Sequence, residues 1–339
     1  MEAETAGANP RHIGGTLLIQ PLPGIGDAIW LLPHLKSIAA QTTEKTLTLL
    51  TKKRSLADSL FGHMECVRDI LWLDNRRDRG PFGGFRLGAA LRPYGFDTVW
   101  ILHTSPRYGL AAWRAGIGER IGFGIGWQDA FLTSQHSLSR KAQKLSVIEK
   151  ANQLLLNHSV PKLESAPSLP VPENMRDEIL HRFADLPRPW ISFIIGASES
   201  FKQWGAENFG ALADRIHRET GGSIFLIGGP GESDLADRLH SRFAAPAWMV
   251  PMVTQPILET AAIISVTDIA VGNDTGALNL AAATGVWSVG LFGGSPPMME
   301  DTRIDAIMPV GNVRYGTDRM ADISPDRVAD SIFAALAAG

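Results

Sequence analysis

The sequence predicts an α/β fold of two Rossmann-like, doubly wound parallel domains, and three observations carry that prediction. Apolar strand-like runs alternate with helical stretches along the chain, which calls for parallel sheets covered by helices. Two glycine-rich strand-to-helix turns, one holding Asp27 and the other Asp274, divide the chain into matching halves. Between them, the segment from Val160 to Pro172 carries four prolines in 13 residues. Such a segment forms neither a regular helix nor a central strand, and is expected to be the interdomain linker.

Taken in order, the first half is expected to contain strands at Thr16–Gln20, Leu47–Thr51, Asp69–Leu73 and Thr98–Leu102. Helices are expected at Asp27–Ala40 and Phe85–Arg92, with a further one after Val99–His103. The second half repeats the alternation, with strands at Trp190–Ile195, Ser223–Ile227, Asp268–Val271 and Trp287–Phe292. Its helices are expected near Ala206–Glu219, Glu232–Phe243 and Gly276–Thr284. Ser324-Pro325-Asp326 is a helix-start signal, and the alanine-rich stretch after it predicts a closing helix. The expected domains are therefore 1–165, 166–322 and a closing helical segment 323–339.

At 339 residues, each half is long enough to bury its own core. The single cysteine, Cys66, excludes an internal disulfide and a cysteine metal cluster, and fits a reducing compartment. No apolar run reaches membrane-spanning length, and the first dozen residues lack the apolar stretch of a signal peptide. A cytoplasmic enzyme or binding protein is expected. Charge is uneven: residues 1–165 hold 20 Lys+Arg against 14 Asp+Glu, while residues 166–339 hold 12 against 21. A basic first half suits an acidic substrate or an anionic membrane surface, with ordinary solvated charge as the alternative. Without an arginine-rich tract interleaved with aromatics, nucleic acid is not expected as a partner. Nothing in the sequence fixes an oligomeric state.

The positions that carry chemistry cluster at strand-to-helix turns. In Pro21-Leu-Pro23-Gly24-Ile-Gly26-Asp27, the prolines and glycines form a rigid turn that would hold the Asp27 carboxylate at the carboxyl edge of a sheet, where α/β proteins place ligands. The alternative role for Asp27 is a first-turn helix acid. Lys202 is the only lysine after residue 162, and lies with Ser198 and Ser200 between a strand and a helix. A cation beside hydroxyls and a helix amino terminus can clamp a diphosphate; a surface lysine is the alternative. Gly228-Gly-Pro-Gly231-Glu232 offers glycines for close approach of a nucleotide and a carboxylate for ribose hydroxyls, or else an ordinary tight turn. Asp274, Thr275 and Gly276 converge at another helix start, with Asn279 on the same helix end, either as a ligand site or as a capping cluster. His103, His136 and His158 have no metal-ligand spacing, and no nucleophile elbow or Gly-Lys-Ser/Thr phosphate loop occurs.

Together these motifs closely resemble the family 9 glycosyltransferases, the ADP-heptose:lipopolysaccharide heptosyltransferases and their relatives, over nearly the whole chain. The resemblance is carried by Leu17 to Pro33 with its Gly-Asp turn, by Gly196-Ala-Ser-Glu-Ser-Phe-Lys202-Gln-Trp204, by Gly228 to Glu232, and by Asn273 to Ala283 followed by Leu291-Phe-Gly293. It implies a GT-B architecture with the active site in an interdomain cleft, the acceptor on the first domain and the nucleotide-sugar on the second. It also implies inverting sugar transfer without a metal or cofactor, with heptose moved from ADP-heptose to a lipopolysaccharide core or another cell-envelope glycan. By matching position, Asp27, held by Gly24 and Gly26, would be the general base. Lys202 would contact the diphosphate, Glu232 the nucleoside, and Asp274-Thr275-Gly276 the phosphate and sugar. Arg107 and Arg114 are candidate contacts to acceptor phosphates, and the acceptor implies contact with the cytoplasmic face of the inner membrane. A GT-B epimerase and a silent nucleotide-sugar-binding protein are the alternatives. Two positions depart from the family pattern: Asn279 stands where histidine is usual, which removes a charge from the diphosphate contact, and Gly205 stands where proline is common after Lys-x-Trp.

Overall fold

A computed structural model of the chain describes residues 14–74, 76–297 and 303–338. The first dozen residues, on which the signal-peptide argument rests, lie outside the described residues. The chain forms two compact units. One comprises Met1–Pro23 and Leu31–Ser165, and the other Gly24–Trp30 and Ala166–Gly339. The glycine turn with Asp27, expected as part of the amino-terminal domain, thus groups with the second unit.

The chain opens with β1 (Thr16–Ile19), followed by α1 (Ile25–Trp30) and α2 (Leu32–Gln41). One helix was expected across Asp27–Ala40; the chain forms two. Pro33 is the cause: it has no N–H to donate back along the helix, and its ring excludes the carbonyl four residues earlier. Leu31 leaves the helical conformation and caps α2 instead, its carbonyl accepting from His34 and Leu35. The first unit continues through β2 (Leu47–Thr51), α3 (Ala57–Phe61), β3 (Val67–Trp72), α4 (Gly83–Leu91), β4 (Thr98–Ile101), α5 (Pro106–Ala115), β5 (Glu119–Gly122) and α6 (Val147–Asn157). Its parallel sheet runs β3-β2-β1-β4-β5, with Leu17 of β1 paired to Thr48 on one side and Val99 on the other. Leu17, Ile19, Val99 and Ile101 point into one core with Leu87 of α4 and Ala111 of α5.

The second unit adds α7 (Glu173–Arg182), β6 (Trp190–Ile194), α8 (Ala206–Thr220), β7 (Ser223–Ile227), α9 (Ser233–Arg242), β8 (Met249–Met252), α10 (Ile257–Ser265), β9 (Ile269–Asn273), α11 (Gly276–Ala283), β10 (Ser288–Leu291), β11 (Ile304–Ile307) and α12 (Pro325–Ala338). Every residue of β6, β7 and β9 is buried, as expected of parallel strands covered on both faces. The sheet order β11-β10-β9-β6-β7-β8 is the doubly wound 6-5-4-1-2-3 arrangement. Chain direction across the sheet reverses between β6 and β9, so the loops leaving those two strands splay apart and open a crevice at their carboxyl ends. Edge strands β5, β8 and β11 escape sequence reading because they are short and only partly apolar; β8 includes Pro251, tolerated at an edge. Among the described residues, no helix is long and apolar enough to cross a membrane.

Candidate active site

The loop from Gly196 to Gly205 leaves β6 at the reversal point, and its shape is set by one buried side chain. Asn273, the last residue of β9, is fully buried. Its amide nitrogen donates to the carbonyls of Ile195 and Gly196 and to Gln203 Oε1, while its amide oxygen accepts from the backbone N–H of Trp204. Trp204 is sunk into the core against Phe209, and its indole donates to the carbonyl of Ile323. With Trp204 anchored inside, Lys202 two residues earlier is left facing the end of β9. Gly205, at the cap of α8, has φ of 92°. Proline is locked near −65°, so this departure from the family pattern comes with a backbone that proline cannot adopt.

Lys202 Nζ lies 2.9 Å from Asp274 Oδ2 and 3.6 Å from Glu199 Oε2, and 5.5 Å from the centroid of the Tyr315 ring. Ser295 donates to Asp274, Tyr315 to Glu199, and Ser198 to Glu199. Ser200 opens the helical turn that carries Lys202. Burial alone would lower the Lys202 ammonium, but the hydrogen bond and charge of Asp274, reinforced by Glu199, raise it above its ordinary 10.5. The hydrogen bond from Ser198, with Lys202 and Tyr315 close by, holds Glu199 below its usual value. The lysine is therefore a fixed cation flanked by two carboxylates rather than an isolated positive nook.

Thr275 was a candidate cap for α11. It stands at the cap position, but its side chain makes no capping bond, and its hydroxyl oxygen is buried without a hydrogen-bond partner among the described residues. A buried hydroxyl left unpaired costs about 1–3 kcal/mol. On the neighbouring turn, Glu232 Oε2 accepts from the N–H of Gly229 at 2.8 Å. A cavity of about 710 Å³ opens beside it, lined by Gln203, Trp204, Gly205 and Glu232 among others. That volume falls within the range of small-molecule sites.

Asp27 lies on α1. Its Oδ2 accepts from the N–H of Gly24 at 3.1 Å, so the carboxylate is held over its own glycine turn. The two glycine turns meet directly. A Cβ on Gly276 would lie 2.9 Å from the nitrogen of Gly26 and 3.1 Å from Ile25 Cβ, and one on Gly26 would lie 2.7 Å from Asn279 Nδ2. Both glycines are required by this approach, and Asn279 packs where it brings its amide to the Gly-Asp turn. Gly276→Ala is expected to force α1 off α11 and to destabilise the protein by about 1–3 kcal/mol, the usual cost of overpacking. An unchanged Tm in that variant would show that the helices do not press together.

Arg107 and Arg114 lie on α5 of the first unit. They occupy its first and last turns, about 10 Å apart along the axis, so the structure does not bring the pair together. Arg107 stays at the carboxyl end of β4; Arg114 is exposed at the far end. His136 and His158, far apart in sequence, have ring centroids 5.5 Å apart, and His158 is hydrogen-bonded to Ser134. Sequence reasoning missed the roles of Asn273, Glu199, Ser295 and Tyr315. Asn273 had a local signal, a polar residue ending an apolar strand; Ser295 and Tyr315 had none.

Two parallel α/β units, with a lysine–carboxylate cluster and helix amino termini at the strand ends, define the GT-B class of glycosyltransferase fold. The match to known proteins agrees. Residues 84–313 match glycosyltransferase family 9 (heptosyltransferase). Lipopolysaccharide heptosyltransferase 2 of Salmonella typhimurium is 26% identical over 275 residues, covering 74% of this chain and 78% of that protein. The structure of Escherichia coli ADP-heptose LPS heptosyltransferase II superposes with a TM-score of 0.77 at 21% identity, covering 95% and 98% of the two chains. A family 9 glycosyltransferase from Veillonella parvula gives a TM-score of 0.80 at 17% identity, covering 96% and 98%. The chain belongs to glycosyltransferase family 9.

Proposed function

We propose that this glycosyltransferase is an inverting, metal-independent enzyme that moves heptose from ADP-heptose onto an anionic glycan or glycolipid of the lipopolysaccharide core. The observation that supports the reading is the packing of the Gly-Asp turn on the start of α11, which sets Gly26 against Gly276 and Asn279, two and five residues after the Asp274 that pairs with Lys202. The heptosyl donor and acceptor are supported by the names of its relatives.

In the proposed reaction, Asp27 takes the proton of the acceptor hydroxyl as that oxygen attacks the anomeric carbon. The bond from that carbon to the diphosphate breaks on the opposite face, so configuration inverts. Charge developing on the departing ADP is met by the Lys202 ammonium, the first amides of α11 and the Thr275 hydroxyl. Asp274 orients Lys202, Glu232 borders the cavity for the nucleoside, and Ser198 and Ser200 on the lysine loop are assigned to the donor. Arg107 is assigned to an acceptor phosphate. A lysine and helix dipoles can stabilise a leaving diphosphate without a metal cation. A cytoplasmic place of action belongs to the same reading.

Thermal shift with ADP, UDP and GDP tests the donor, because a ligand specific for the native state raises Tm by mass action. ADP is expected to stabilise most, and a larger shift with UDP or GDP would overturn the adenine assignment. Transfer from ADP-heptose in the presence of a chelator, with the product's anomeric configuration read by NMR, tests the rest. Retention of configuration, or loss of turnover on chelation, would end the mechanism above.

A further inference from the structure

The Lys202 ammonium is shared by two carboxylates, Asp274 at 2.9 Å and Glu199 at 3.6 Å, so the three groups sum to one negative charge. An anionic diphosphate gains that ammonium only if one carboxylate gives way. The two are not held alike. Asp274 follows β9 directly, lies at hydrogen-bond distance from Nζ, and accepts a further bond from Ser295. Glu199 sits beyond ordinary hydrogen-bond length, three residues before the lysine, with its side chain 35% exposed against 24% for Asp274. Its backbone is extended, with φ of −131° and ψ of 142°, and its carbonyl accepts from the Lys202 N–H. That backbone bond holds the turn Ser200–Lys202, so the Glu199 side chain can rotate away without unwinding it. The carboxylate is otherwise steadied by Ser198 and, at 3.2 Å, by the Tyr315 hydroxyl, both on exposed residues.

We propose that the Glu199 carboxylate is a built-in competitor for Lys202, displaced by the diphosphate of the incoming donor and returning to the ammonium as the product nucleotide leaves. The proposal rests on the assignment of Lys202 to the diphosphate made above. Competition of this kind weakens the apparent affinity by the fraction of molecules whose lysine is available. It therefore opposes retention of the spent nucleotide. A neutral side chain at position 199 removes the competitor and leaves Asp274 to orient the lysine.

Calorimetric titration of the full chain with ADP and, separately, with inorganic pyrophosphate tests the proposal. Glu199→Gln keeps an acceptor for Ser198 and Tyr315 but not the charge. It is expected to bind both ligands about tenfold more tightly than wild type, as when the lysine is available in about one molecule in ten. The two ligands share only their phosphates, so an equal gain places the effect there, whereas damage to the loop would weaken binding. Should that variant fail to fold, Glu199→Ala removes the same charge. Unchanged or weaker affinity for pyrophosphate in a folded variant, including a gain confined to ADP, would overturn the competitor and leave Lys202 its role. A gain for pyrophosphate with no binding of ADP would support the competitor and remove the adenine assignment. No binding of either ligand by either protein would overturn the proposal together with the diphosphate site.

Discussion

Replacing Asp27 with asparagine is expected to lower kcat by about a hundredfold or more, the range of general-base effects. Nothing else in the fold should move. The amide oxygen can still accept from Gly24, so α1 keeps its entry turn and its seat on Gly276 and Asn279. What disappears is the ability to hold a proton released by the acceptor hydroxyl. Steady-state kinetics with calorimetric titration of ADP would check it: kcat falls, donor affinity and Tm stay near wild type. Turnover within severalfold of wild type would remove Asp27 from the chemistry, leaving it the role of a first-turn acid.

Lys202→Met is expected to reduce kcat/KM by about a hundred- to a thousandfold, comparable to the loss of a preorganised donor to a developing anion. It should also weaken ADP binding, because the cation removed faces a diphosphate. A second consequence is structural. Removing the ammonium leaves Asp274 and Glu199 without the positive charge between them, and a carboxylate left unpaired in a mostly buried site is strongly destabilising. The pH dependence has a definite sign. The Lys202 ammonium titrates above its ordinary 10.5 in the folded protein, so its stabilising contribution is complete below 10.5 and is lost as pH rises through the folded value. Denaturation midpoints of wild type and variant should therefore differ by a constant amount at neutral and mildly alkaline pH, and converge above that. A gap that widens with alkalinity would contradict the ion-pair assignment. Lys202→Arg keeps the charge but not the point geometry, and should recover stability more fully than turnover.

These residues show how unevenly the site was legible. Asp27, Gly26, Lys202, Asp274 and Gly276 announced themselves because each sits at a strand-to-helix junction, where the chain must turn tightly and where backbone amides are unpaired. Local chemistry is enough to flag such positions. Ser295 and Tyr315 reach the same cluster from loops after β10 and β11, and no short-range pattern marks them. Both carboxylates that flank Lys202 are present in the sequence motifs, Glu199 three residues before it and Asp274 at the end of β9, but their pairing with the lysine is not, because it depends on β6 and β9 lying side by side. Apolar periodicity continues across Pro33, which is why a single helix over Asp27–Ala40 is expected from the sequence where the chain forms two.

The residue order alone determined the alternation of buried strands and amphipathic helices, the proline-rich division between halves, and the two glycine turns, since all of these follow from periodicity and backbone freedom within a few residues. Only the tertiary structure decided that the first glycine turn packs on the second, that Asn273 locks the lysine loop, and that the Thr275 hydroxyl is left without a partner among the described residues. Contacts of that kind depend on which strand ends lie side by side. That is settled by burying two whole sheets at once, and no short stretch of sequence encodes it.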